Sequence, residues 1–181
     1  MRAFRSPGEF ASFLIGLAGS LPLAEARGIR GAGEVVQAEA VNSLGHYQEA
    51  AGPFPAWAPL SDRTHEQRAE AGLPIDEPLR ATWELRNHIE LTAESRSASV
   101  GVPSVIVGDG SKANPYRDIG MVATIMELGN ERVPARPFLG RAAFVRGQAA
   151  VKAAGAIVGA HMAGQPFDRR PATSIADDIP F

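Results

Sequence analysis

The longest helical pattern in the chain covers about residues 138–163, and it limits what the rest of the sequence can form. Pro137 stands just before it, at a position where proline is tolerated in the first turn of a helix. Alanines and glycines dominate the pattern, and its first half carries Arg141, Arg146 and Lys152. The second half is small and apolar, so we predict a long helix buried there against another helix or another subunit.

The N-terminal stretch predicts a first, amphipathic helix. The sequence Pro7-Gly8-Glu9 is typical of a helix start,. Apolar residues then recur at helical spacing, at Phe10, Phe13, Leu14 and Leu17,. The alternative for the same residues is a cleaved secretory signal that ends near the small-residue motif "AEA".

A second, longer helix is predicted to begin after Pro22 and to continue to about Gln48, with an apolar stripe that ends at Leu44,. Its apolar stripe is interrupted by Gly28, Gly31 and Gly33. Each glycine costs about 1 kcal/mol relative to alanine in a helix. These glycines therefore indicate either a kink or the close approach of another helix.

The middle of the chain predicts short elements separated by turns. Residues 50–79 contain five prolines, and Ser61 or Asp62 is expected to cap a short helix that runs to Glu70,. Another short helix is predicted after Pro78. These segments contribute little regular structure of their own.

Residues 89–107 alternate between apolar and polar side chains, which predicts a strand pair or a small antiparallel sheet,. Residues 116–130 return to helical spacing and stop at Gly129,. The fold class that we predict is α+β, with N-terminal helices, the small sheet and the long C-terminal helix. We expect one domain over residues 1–163 and an extended arm over residues 164–181.

Composition favours an ordinary globular protein and excludes several classes. The hydrophobic fraction is 45% and the net charge is −2, so nothing indicates wholesale nucleic-acid binding,. The chain has no cysteine, which excludes disulfides and thiolate chemistry,. The apolar run near the C-terminus is too short for a bilayer, which needs about 20 residues. We expect a soluble intracellular protein with no membrane partner.

The polar residues do not form a recognisable reactive motif. The sequence "HEQRA" at residues 65–69 begins like a zinc-protease helix but lacks the second histidine,. The sequence "GDGSK" at residues 108–112 does not have the spacing of a phosphate-binding loop,. We therefore predict no catalytic residue, no metal ligands and no cofactor, although a triad assembled from distant positions stays open.

Aromatic and arginine residues are the better candidates for function. Trp57 lies among prolines and Trp83 lies in a short helix. Both are interpreted either as core residues or as anchors for a partner subunit, since tryptophan and arginine dominate interface hot spots. The arginines from Arg132 to Arg146 form either a solvated face or a set that pairs with carboxylates of an adjacent copy,.

The order of several motifs resembles the phage virion-morphogenesis, or tail-completion, family. A proline-flanked "WAPL" at residues 57–60 is followed by a "PL…TWELR" segment at residues 78–86. The series ends with "G…VPARPFLG" at residues 129–140. The likeness covers about residues 30–150, and it rests on the ordered set more than on any single piece.

The resemblance implies a small α+β protein that acts by assembly and not by catalysis. Members belong to the head–tail junction of tailed phages, so we expect localisation in the virion neck or tail after assembly in the cytoplasm of the bacterial host. The implied partners are copies of the chain in a ring, a hexamer or dodecamer, and neighbouring neck or tail proteins such as the adaptor, stopper, terminator or tail tube. Transient contact with DNA in the channel is a further expectation.

Two other functions stay open. One is a tail-terminator ring that caps the tail tube, and the other is a small intracellular hydrolase with an unrecognised site. Under the structural interpretation, "VPARPFLG" is a corner that aims the last helix and presents Arg136 and Phe138 to a neighbour. The candidate interface or corner residues are Trp57, Trp83, Arg136, Pro137, Phe138, Leu139, Arg141, Phe167 and Phe181.

Overall fold

The computed structural model describes residues 3–165. Over these residues the chain forms helices α1 (Pro7–Ser43), α2 (Asp62–Glu70), α3 (Glu84–Asn87), α4 (Ile119–Leu128) and α5 (Leu139–Met162), and strands β1 (Glu90–Ala93), β2 (Ala98–Gly101), β3 (Ile106–Val107) and β4 (Arg117–Asp118). The predicted α+β class and the long C-terminal helix are confirmed. Nearly all of the predicted arm, including Phe167 and Phe181, lies outside the described residues.

Helix α1 begins where the sequence predicts but does not break at Pro22. Ser6 is the N-cap and accepts a hydrogen bond from the Glu9 amide, and Pro7 occupies the first turn,. The prediction of two helices is wrong, because α1 is continuous through Pro22. An interior proline costs about 3 kcal/mol. Packing against α5 on both sides of the proline, at Ser20 and at Gly28, holds the two halves in line.

Helices α1 and α5 run antiparallel and approach closely where α1 carries glycine. A Cβ atom at Gly28 would lie 3.1 Å from the carbonyl oxygen of Ala154, and one at Gly31 would lie 2.9 Å from the Cδ1 atom of Ile157. Close approach of another helix is therefore the correct interpretation for Gly28 and Gly31, whereas Gly33 is approached by the Leu91 and Ala98 side chains of strands β1 and β2. The small, apolar second half of α5 packs on this part of α1, as its composition predicts.

The small sheet is two separate antiparallel pairs. Strand β1 pairs with β2 in a hairpin with Glu90 opposite Gly101 and Ala93 opposite Ala98, and this hairpin packs on α1. Strands β3 and β4 form a shorter pair that leads directly into α4. Val107 is buried, whereas Val105 and Ile106 are exposed, so Val107 is the one side chain of residues 105–107 that contributes to the core.

The remaining helix ends follow their predicted signals. Ser61 caps α2 by accepting from the Thr64 amide, and Gly129 ends α4 with a φ of 73°. At that position a Cβ atom would also lie 2.7 Å from the Ala135 amide nitrogen, so glycine is required on two counts,. The core gathers the side chains between α1, α4 and the start of α5, namely Ala40, Leu44, Trp57, Leu85, Ile89, Val107, Ile119, Ala123, Phe138 and Ala142.

Candidate functional site

The start of α5 is held by a carboxylate from α4. Glu127 accepts hydrogen bonds from three successive backbone amides, those of Phe138 at 2.8 Å, Leu139 at 3.0 Å and Gly140 at 2.8 Å. The first amides of a helix have no partner within the helix, and the helix dipole favours an anion there. Glu127 therefore caps α5 and ties α4 to it across the loop.

A second set of hydrogen bonds ties the proline-rich loop to the same corner. The indole Nε1 of Trp57 donates to the carbonyl oxygen of Pro137 at 3.2 Å, although 80 residues separate them. The guanidinium of Arg136 donates to the carbonyl oxygen of Ala58 from Nε at 3.1 Å, and to that of Pro59 from Nη2 at 3.1 Å. Residues 57–59 and 136–137 are therefore bound to each other. We call these residues, together with Glu127 and Phe138, the proline corner.

The centre of the proline corner is buried, while Pro59 at its edge is exposed. Phe138 is fully buried, Pro137 is buried, and Trp57 and Arg136 are 4% and 5% exposed. Burial lowers the pKa of Arg136 from its ordinary value,. The expectation that Arg136 and Phe138 are presented to a neighbour is therefore wrong for this conformation, because their side chains serve contacts within the chain.

Trp83 is placed differently, on the surface at the start of α3. Its ring is 49% exposed and has two guanidinium groups near it, that of Arg80 at 4.3 Å and that of Arg86 at 5.1 Å from the ring centroid. Stacked guanidiniums hold an aromatic ring in one orientation and add a favourable cation–π interaction. This arrangement presents a flat, ordered aromatic face, and of the predicted tryptophans it is the one open to a partner.

The arginines on α5 find their carboxylate within the chain. Glu39 of α1 lies 2.7 Å from Nε of Arg146 and 4.0 Å from Nη1 of Arg141, and Arg141 also donates to the carbonyl oxygen of Glu49. Arg141 and Arg146 therefore have a carboxylate partner within the chain, and the interpretation that they also pair with an adjacent copy stays a prediction. Leu139 is partly buried and packs against the core.

A polar cluster that the sequence analysis missed joins the loop after α1 to helix α2 and to the loop that follows α2. The hydroxyl of Tyr47 donates to Asp76, and Nε2 of His65 lies 3.2 Å from the same carboxylate. The hydrogen bond from Tyr47 is the main cause that lowers the pKa of Asp76, while burial raises the pKa of Tyr47,. The Tyr47 hydroxyl also accepts a hydrogen bond from the Leu60 amide, so the cluster joins separate loops and its geometry is that of a structural contact between them.

A cavity of about 360 Å³ lies beside the proline corner. Its polar lining is mainly the guanidiniums of Arg68, Arg117 and Arg136, which donate to oxygen atoms of the chain itself. The apolar residues around it are Leu60, Leu79, Leu85, Ile119, Val122, Met126 and Val133. No carboxylate or histidine lines it, so the described walls offer no general acid or base at neutral pH.

Residues 3–165 contain neither a metal-ligand cluster nor a helix suited to spanning a membrane. No three His, Asp or Glu side chains converge there as metal ligands would. In the same span, no helix has both the length and the hydropathy that crossing a bilayer requires.

Comparison with known proteins adds no relative. No family model, no curated protein and no solved structure matches the chain significantly. The resemblance to tail-completion proteins therefore stays a prediction that rests on the motifs themselves.

Proposed function

We propose that this chain is a structural subunit of the neck or tail end of a tailed phage or a phage-like particle. In this role it completes the tail and helps to join it to the head as a member of a ring. Its partners are further copies of itself and the neighbouring neck or tail proteins. It acts without catalysis or a cofactor, and it resides in the virion.

The main support for the proposal is that the two motif segments contact each other in the folded chain. The resemblance rests on separate segments, "WAPL" at residues 57–60 and "VPARPFLG" at residues 133–140. In the folded chain these two segments bind each other through Trp57, Pro59, Arg136 and Pro137. A motif whose members hold one another in place has a structural purpose, and this is what an assembly family needs more than an enzyme family does.

The surface supports self-association through a few large exposed side chains. On α5, apolar groups face solvent at Phe144, Val145, Val151 and Met162. Trp83 adds an aromatic group of the kind that forms hot spots when a partner buries it,. We assign Trp83 as the principal subunit contact, because its ring is held in place by Arg80 and Arg86 before any partner arrives.

A role in contacting DNA receives less support from the charges. Of the basic residues between Arg132 and Lys152, Arg136 is buried, and Arg141 and Arg146 are paired with Glu39. Phosphate binding requires accessible cations, so a DNA-lining face is not part of the main proposal. A tail-terminator ring stays the second candidate, because a closed ring of exposed aromatic contacts suits both positions in the particle.

The proposal is tested by the assembly state and the location of the chain. We expect mass photometry and negative-stain electron microscopy of the purified chain to show closed rings. Antibody labelling should place the chain at the neck or tail end of particles. A monomer at all concentrations that is absent from particles contradicts the proposal, and labelling at the tail-tube end selects the terminator alternative.

A matched pair of variants tests the assigned contact. Trp83→Ala should weaken ring formation at least several-fold, while Tyr116→Ala, which removes another exposed aromatic side chain, should leave it unchanged. Equal assembly by both variants would remove Trp83 from the interface. Substrate turnover that is lost on Asp76→Asn but kept in Trp83→Ala would instead support the hydrolase alternative.

A further inference from the structure

Helix α1 extends past the end of α5. Near its C-terminus, α5 contacts α1 through His161, whose Nε2 lies 3.2 Å from Ser20 Oγ and 3.4 Å from the carbonyl oxygen of Leu17. Because α1 begins at Pro7, residues 7–16 project beyond this contact. At 1.5 Å per residue, the projecting part of α1 is about 15 Å long. We call it the α1 overhang.

The face of α1 that packs on α5 continues along the overhang. Gly31 and Gly28 face α5, and counting back from Gly31 in steps of seven residues gives Ala24, Leu17 and Phe10. Counting back from Gly28 gives Leu21 and Leu14 in the same way. Residues seven apart lie on one side of a helix. Phe10 and Leu14 therefore belong to the seam that α5 covers further along.

This part of the seam is open among residues 3–165. Ala24, further along the same seam, is fully buried, whereas Phe10 is 46% exposed and Leu14 is 43% exposed. The ring of Phe4 packs edge-on against Phe10, with 5.1 Å between the ring centroids, and still leaves Phe10 that exposed. An apolar seam that continues past its covering helix requires a further segment to cover it.

The chain leaves α5 at the start of this open seam. Gly164 has a φ of 71°, and its amide donates to the carbonyl oxygen of His161, while the Gln165 amide donates to that of Ala160. These bonds end α5 one turn from its contact with Leu17. Residues 166–181, "PFDRRPATSIADDIPF", follow from that point and lie outside the described residues.

We propose that residues 166–170 bind along the α1 overhang of their own chain. An extended chain advances about 3.3 Å per residue and a helix about 1.5 Å, so Phe167 comes level with Leu14 and Arg169 with Glu9. This register sets an aromatic side chain on the open seam and a cation beside the single carboxylate of the overhang. A segment joined at Gln165 has an effective concentration in the millimolar range, which favours the same chain over another copy.

Photo-crosslinking of the full-length chain tests this docking. The change Phe10→p-benzoylphenylalanine puts a crosslinker on the seam and keeps an aromatic shape. The same change at Met121, an exposed position on α4, is the control. Equal amounts of unlabelled and heavy-nitrogen-labelled chain are mixed before irradiation, so that mass spectrometry separates links within a chain from links between chains.

We expect the Phe10 crosslinker to join peptides that contain residues 166–170, in products of one isotope composition. Phe167→Ala should remove most of that product while far-ultraviolet circular dichroism stays unchanged. Links of mixed isotope composition, whether to α1 or to the C-terminal segment of a second copy, overturn the assignment to the same chain. A yield at Phe10 no higher than at Met121 overturns the docking itself. The oligomeric state does not enter this readout, so the result is independent of the proposed function.

Discussion

The two ends of α5 are held by different kinds of interaction. At the N-terminal end, the Glu127 carboxylate and the Trp57 and Arg136 side chains make directional hydrogen bonds to backbone atoms. At the C-terminal end, α5 rests on α1 through small residues in close contact at Gly28 and Gly31. The first arrangement rests on directional hydrogen bonds, whereas the second rests mainly on close packing, to which His161 adds contacts with Ser20 and Leu17. Substitutions at the two ends should therefore differ in size and even in sign.

The largest difference is expected from the same substitution made at each end. Phe138 is fully buried in the proline corner, so Phe138→Ala should lower the free energy of unfolding by about 3–5 kcal/mol,. Phe10→Ala, at the half-exposed seam, should lower it by about 1 kcal/mol or less. Urea denaturation followed by circular dichroism measures both. Equal losses would show that the corner contributes no more than the overhang.

Removing the carboxylate that caps α5 should have the next largest effect. Glu127→Ala leaves the amides of Phe138, Leu139 and Gly140 without their acceptor, which should cost about 1–3 kcal/mol,. Glu131→Ala, in the exposed loop that follows, is the matched control and should change stability by less than about 0.5 kcal/mol,. If both variants melt at the same temperature, the cap is not a stabilising contact.

Two glycine-to-alanine substitutions in α1 should change the stability of the fold in opposite directions. Gly28→Ala sets a Cβ atom 3.1 Å from a carbonyl oxygen of α5, so the helices must separate at a cost of about 1–3 kcal/mol,. Gly16→Ala meets nothing within 4 Å, and as a helix-interior change it should stabilise by about 0.5–1 kcal/mol,. Thermal melts give the two signs directly. Stabilisation by both changes would mean that α1 and α5 leave room for a methyl group at Gly28 and do not approach closely there.

The smallest effect on stability is expected at low pH, and it comes from Asp118, the N-cap of the helix that carries Glu127. The Ser104 hydroxyl, followed by the Met121 and Gly120 amides, lowers the pKa of Asp118 at the start of α4. A carboxyl group whose folded pKa lies below its unfolded value stabilises the fold above about pH 4. That contribution is lost as the pH falls through the folded pKa. Asp118→Asn should flatten this part of the melting-temperature profile, and an unchanged slope below pH 4 would exclude Asp118 as its source.

Local signals in the sequence are enough to predict the α+β class and most helix ends. Ser61, Gly129 and the Ser6-Pro7 start each act through residues a few positions away, which is why they can be read directly. Pro22 cannot be read in this way, because the helix continues through it on the strength of packing against a helix more than a hundred residues later.

The candidate site is harder to predict for the same reason. The prolines of "VPARPFLG" indicate a corner, but the burial of Arg136 and Phe138 depends on residues 57–59. Glu127 has one signal in the sequence, since it is an acidic residue just before the turn into a helix whose own N-cap, Phe138, has no side-chain acceptor. The arginine stack on Trp83 follows from spacing along a turn and is visible only once that turn is known.

The hydrogen bonds from Glu127 couple the orientation of α5 to that of α4. A helix of 24 residues is about 36 Å long, so a tilt of about 6° at the capped end moves the far end by about 4 Å,. A displacement of that size is comparable to the width of a side chain. Because the far half of α5 packs closely on α1, a neighbour that displaces α4 would have to move α1 and α5 together to change the surface at the opposite end of the molecule.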